Sequence, residues 1–199
     1  VPTPGRGRVA SRDRRMRARS PTAGKGRSLT VVSLVCLAVA ALAPALSLRP
    51  TLPAWLGAAV TTTALGGAAL AATATAPVHG LALAVTLALT TLAAVTGGGP
   101  AVLVAFRIAR RQPDAGPDPA RPPGPLRGGR VIGVLERGAV AVSILAGWPE
   151  GIAIIMAVKG LARYPELREP NASEQFIIGT ATSVLWACAA CGVGTALIT

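Results

Sequence analysis

The sequence predicts an all-α, polytopic transmembrane helical protein, and three observations carry that prediction. Apolar stretches close to 20 residues long recur along the chain. That is the length a helix needs to cross ~30 Å of hydrocarbon at ~1.5 Å per residue. Only 14% of the 199 residues are charged, and 51% are hydrophobic; soluble domains usually carry about 25% charged residues. Most of the charges lie between the apolar runs, so the chain separates into segments for lipid and segments for water.

Residues 1–28 come first. They hold nine basic groups (Arg6, Arg8, Arg12, Arg14, Arg15, Arg17, Arg19, Lys25, Arg27) against one acid, Asp13. The segment is rich in Gly, Ser and Pro and has no apolar period, which predicts a disordered basic tail. In a soluble protein such a tail would suggest nucleic acid. Here it abuts an apolar run and has no aromatic side chain to stack on a base, so nucleic acid is disfavoured. Anionic lipid and topology account for it more simply. Met16 offers an internal start that would remove half of the tail.

Residues 29–111 form an N-terminal transmembrane helical region. The first span is 29–48, "LTVVSLVCLAVAALAPALSL". A secretory signal is the competing reading, weakened by the length of the run and by Pro44 after "ALA". Residues 54–76 are apolar but dominated by Ala, Thr and Gly, which insert poorly. They predict a helix that either spans through small-residue packing or stays shallow. A Leu-rich span, 80–96, runs into "GGGP" (97–100), which should break the helix. A short piece, 101–111, should then follow.

Residues 112–129, "QPDAGPDPARPPGPLRGG", predict an extended Pro/Gly-rich cytoplasmic linker. Beyond it, 130–199 reads as a hairpin plus one span. "GWPE" at 147–150 ends one helix and begins another, since Pro is favoured at a first helical position. The expected parts are helix 130–146, a turn, helix 149–163, a polar loop and a final span, 175–198. Asn171 or Ser173 is the expected cap of that span.

Basic loops mark the cytoplasmic side. The tail, the Arg107–Arg130 loop and the loop with Arg163 and Arg168 all qualify, which predicts a multi-pass protein of the cell membrane with a cytoplasmic N-terminus. Placing the first two regions on one side needs an even number of crossings between 29 and 107, where three helices are predicted. Incomplete crossing by 54–76 would resolve this. Two alternatives stay open: 101–111 turns back, or the charge rule fails.

The candidate site lies in the hairpin. With its turn centred between Gly147 and Trp148, positions whose numbers sum to 295 share a depth. Glu136 is then level with Lys159, and Lys159 and Arg163 share a helix face at i,i+4. Glu174 begins the last span on the same side. Glu136, Arg137, Lys159, Arg163 and Glu174 are thus expected to converge as an ion cluster. Glu136 lies six residues past Arg130, roughly 9 Å along a helix, so the cluster is shallow. It reads as a structural clamp, or as a polar site of a transporter or channel component. On the final span, Gly179, Ser183, Ala187 and Cys191 recur every four residues as a helix-packing stripe, for the bundle itself, a homo-oligomer or another membrane protein.

Little else suggests chemistry. "CAAC" (188–191) lacks the strand and helix terminus that redox cysteines use. His79 sits alone between apolar runs. "GGGP" lacks the Lys of a phosphate loop. No catalytic, cofactor-binding or metal-binding residue is assigned, and the expectation is a non-enzymatic protein whose principal partner is the lipid bilayer.

The second half resembles a family of small integral membrane proteins from actinobacteria. The resemblance rests on "GRVIGVLER" (129–137), "GWPEGIAIIMAVKGLARYPELRE" (147–169) and "SEQFIIGTATSVLWA" (173–187), with "GGGPAVLVAFRIAR" (97–110) upstream. It implies a membrane protein and no particular activity.

Overall fold

The computed structural model describes residues 21–48, 53–109 and 129–199. They form six α-helices and no strand: α1 (Pro21–Leu42), α2 (Ala54–Ala72), α3 (Leu81–Ala109), α4 (Gly129–Leu145), α5 (Gly151–Ala162) and α6 (Pro170–Ile198). Short 3-10 turns follow α1 (Ala43–Leu48) and precede α6 (Glu166–Arg168). Four helices are long and apolar enough to cross a membrane: Gly26–Ala45, Trp55–Ala72, Leu81–Ala109 and Ala172–Ile198. The linker expected at 112–129 and most of the tail fall outside the described residues.

The distribution of side chains is that of a protein solvated by lipid. Leu70, Leu81 and Leu185 are 76%, 82% and 69% exposed, whereas Ala40, Ala68, Ala93, Ala94, Ala187 and Ala190 are fully buried. Lipid tails are as apolar as Leu, so nothing drives large side chains inward. Close backbone approach through small residues holds the helices together instead.

Hydrogen bonds fix the helix directions. Ser33 Oγ on α1 donates to the Ala68 carbonyl of α2 at 2.9 Å, and Cys36 Sγ lies beside Gly67. The two helices are therefore antiparallel. Thr96 Oγ1 on α3 lies 2.8 Å from the Ala41 carbonyl near the end of α1. On α6, Gly194 packs on Thr90 and Trp186 bonds to Ala93, while Gly179 packs on Phe106 near the far end of α3. Thus α6 runs antiparallel to α3 along most of its length. Val78 N–H donates to the Leu197 carbonyl at 2.9 Å, tying the α2–α3 connection to the end of α6.

Three expectations change. First, α3 continues through "GGGP" as one 29-residue helix with Pro100 inside it. Proline is tolerated in a membrane helix when neighbours satisfy the backbone groups that it frees. The carbonyl it frees is that of Thr96, one turn back. Residues 101–109 belong to this helix and do not turn back as a separate piece.

Second, α2 packs along α1 and is long and apolar enough to cross a membrane. Its low hydropathy comes from the small residues that allow close packing. Two of its threonines bond within the helix: Thr61 donates to the Gly57 carbonyl at 2.5 Å and Thr63 to the Ala59 carbonyl at 2.9 Å. With α1, α2 and α3 alternating in direction, Arg27 and Arg107 lie at opposite ends of the bundle. Among the described residues, the basic groups Arg27 and Arg107 therefore do not share one side.

Third, helix ends move outward. α1 begins at Pro21, inside the segment assigned to the tail, and proline suits a first helical turn because it lacks an N–H to satisfy. α6 begins at Pro170, with Glu169 in the cap position and no side-chain cap bond. Asn171 and Ser173 therefore lie inside its first turn and do not cap it.

The hairpin joins α4 to α5 at Gly147, whose φ of +73° favours glycine. Trp148 N–H donates to the Ser143 carbonyl at 2.8 Å and closes the turn. α4 is a core helix, with Val140 and Ala141 buried. α5 has 12 residues, about 18 Å, too short to cross the hydrocarbon. Its Ile154, Val158 and Leu161 are exposed.

Candidate functional site

Glu136 and Arg137 are neighbours on α4, and successive residues of a helix point ~100° apart. That separation sends them to different partners. Glu136 faces α5, where Lys159 Nζ donates to its Oε2 at 2.5 Å. Both side chains are largely buried, 17% and 19% exposed. Lys159 Nζ also lies 5.6 Å from the centroid of the Phe176 ring on α6, within the range of a cation–π contact. One ammonium thus touches a carboxylate of α4 and a ring of α6, and it anchors the short helix that carries it.

Arg137 turns the other way, between α3 and α6, and is 7% exposed. Its Nε donates to the Val95 carbonyl at 2.6 Å, and Nη1 donates to Ser183 Oγ at 3.2 Å. Both acceptors are neutral. The chain threads past two glycines. A Cβ on Gly98 would sit 2.5 Å from Arg137 Cδ, and one on Gly133 would sit 3.2 Å from Nη1.

Directly beside it, Trp186 Nε1 donates to the Ala93 carbonyl at 3.0 Å. Its indole covers Gly97, where a Cβ would collide with Cζ2. The triglycine stretch is therefore a bed for two side chains from other helices: Trp186 on Gly97 and Arg137 on Gly98. Gly99 meets nothing within 4 Å. The carbonyls of Ala93 and Val95 gain side-chain donors here; the carbonyl that Pro100 leaves without its helical N–H is that of Thr96.

The remaining predicted residues fall around this node. Arg163 is half-buried at the end of α5, and its N–H donates to the Lys159 carbonyl at 3.3 Å. Glu174 is exposed on α6. The stripe faces inward. Gly179 packs on Phe106, with a Cβ position 3.2 Å from the ring, and Ser183 takes the Arg137 bond. Ala187 and Cys191 are fully buried. Cys188 and Cys191 are free thiols. Among the described residues no group of three His, Cys, Asp or Glu side chains is placed to hold a metal.

Sequence reasoning missed Trp186, Gly97 and Gly98. The usable signal was three glycines ahead of a proline inside an apolar run, in a chain with an arginine in one later apolar run and a tryptophan in another.

Compared with known proteins, the chain matches no family model, no curated protein and no solved structure.

Proposed function

We propose that this multi-pass membrane protein is a non-enzymatic structural or interaction component of the cell membrane. We also propose that it belongs with the actinobacterial integral membrane proteins its second half resembles. One observation carries the functional reading. Polar side chains that reach between helices end on other helices: Ser33 on Ala68, Arg137 on Val95 and Ser183, Trp186 on Ala93, Lys159 on Glu136. Groups committed in this way fasten the bundle.

The test is a double-mutant cycle on Glu136→Gln and Lys159→Met. A clamp predicts that each single change lowers the melting temperature and that the double change recovers part of the loss, because neither charge is then left unpaired. A transport role has one point in its favour: Arg137 is a buried cation with two neutral partners, and intramembrane charge often marks a pathway. It predicts stable variants whose flux is abolished in proteoliposomes, and that result would replace the first reading.

The N-terminus is proposed as cytoplasmic on the strength of the nine basic groups in 1–28. Single cysteines at positions 78 and 115 in a background lacking the native cysteines should then be labelled from opposite faces, 78 from inside. Labelling from one face would overturn the alternation of α1, α2 and α3.

A further inference from the structure

We propose that a groove between α2 and α3 seats one anionic phospholipid, with its phosphate on Arg107 and an acyl chain along Trp55, Val104 and Ile108. The groove has a volume of about 340 Å³ and is lined by those four residues. Three are apolar and one is a cation, which is the polarity of an amphiphile rather than of a free anion or an apolar solute. Val104 and Ile108 are i,i+4 on α3 and form one apolar ridge. Arg107 stands in the last turn of the same helix.

The groove opens outward. Trp55 is 55% exposed and Ile108 60%, and the neighbouring Leu103 is exposed as well. In a membrane that surface meets lipid. Trp55 lies in the first turn of α2, where the antiparallel packing brings it level with the end of α3. An indole suits the depth at which headgroups begin. Charge selects the kind of lipid. Arg107 is the one charged group among the described residues that line the groove, and no acid lines it. Guanidinium pairs with phosphate through two parallel hydrogen bonds, and a cation with no acid beside it favours a headgroup with net negative charge.

This inference rests on the membrane reading but not on the clamp. Full-length protein in neutral detergent is mixed with phosphatidylglycerol, phosphatidylcholine or inorganic phosphate, and bound species are counted by native mass spectrometry. Retention of phosphatidylglycerol over phosphatidylcholine is expected. Arg107→Gln should lower it about fivefold, on the order of one basic contact. Ile108→Trp, which fills the groove, should abolish it. Arg168→Gln, an exposed arginine beyond α5, should leave it unchanged.

Equal loss in Arg107→Gln and Arg168→Gln would overturn the groove in favour of diffuse charge. Displacement by millimolar phosphate would overturn the lipid in favour of a free anion. Melting temperature is recorded for each variant. If Ile108→Trp is unstable, Val104→Phe replaces it, and undiminished retention in a folded groove-filling variant sinks the proposal. Labelling at positions 78 and 115 should be unaffected, so failure of the lipid seat is distinct from failure of the crossing pattern.

Discussion

The α3–α6 seam and the α4–α5 hairpin solve the same problem in opposite ways. The seam is long and antiparallel, and its contacts are small: Gly97 under Trp186, Gly194 under Thr90, Gly179 under Phe106. Its strength comes from many close approaches. The hairpin's outer helix is short and leaves its large apolar side chains exposed. It is held at its far end by Lys159, on Glu136 and Phe176. Where hydrophobic burial offers no driving force, a helix is secured either by fitting closely or by being tied. A close fit fails when volume is added, and a tie fails when one polar group is removed.

That contrast orders the expected effects. The largest belongs to the seam. Gly97→Val puts a Cβ into the Trp186 ring, and overpacking of this kind costs about 1–3 kcal/mol or more. It should lower the thermal midpoint by several degrees or abolish folded yield, whereas Gly99→Ala should be silent. A silent Gly97→Val would mean that the seam is loose.

Next comes the residue that belongs to both regions. Arg137→Met removes two hydrogen bonds from a charged donor, each worth about 1.5–3 kcal/mol, but also removes a buried charge. The net loss of stability should be smaller than for Gly97→Val, with Ser183→Ala costing less again. A stabilised Arg137→Met in a denaturation series would show that the guanidinium is kept for something other than fastening. The Glu136–Lys159 cycle follows, with a coupling of about 0.5–3 kcal/mol. Trp186→Phe should be the mildest. It keeps an aromatic ring against α3 but loses one hydrogen bond, about 0.6 kcal/mol in membrane bundles, and the Cζ2 edge nearest Gly97. A loss above that of Arg137→Met would invert the ranking.

The hairpin was legible because its signals are local. Gly147, Trp148 and Pro149 mark the turn, and counting outward puts Glu136 level with Lys159. Counting gives height along a helix and says nothing of which neighbour lies at each bearing, so the sequence could not show that Arg137 leaves its neighbour for α3. The continuity of α3 was illegible for a related reason. Pro100 breaks an isolated helix; inside the bundle the glycines just ahead of it carry Arg137 and Trp186, which arrive from segments about 40 and 90 residues away. For α2, the Ala, Thr and Gly content fits weak insertion and close packing equally, and composition alone does not say which neighbour the small residues meet.

The bond between Val78 and Leu197 has a consequence for how the protein is made. α3 enters the membrane early, with the Thr90 hydroxyl, the Ala93 carbonyl and the bare glycines at 97 and 98 turned toward a partner not yet synthesised. A ribosome must add nearly a hundred more residues before α6 arrives to cover them. Until then lipid lies against that surface, and the chain is most exposed to wrong pairings and to proteolysis. The last turn of α6 closes that interval when it reaches Val78, so the end of assembly coincides with the end of synthesis of this helix.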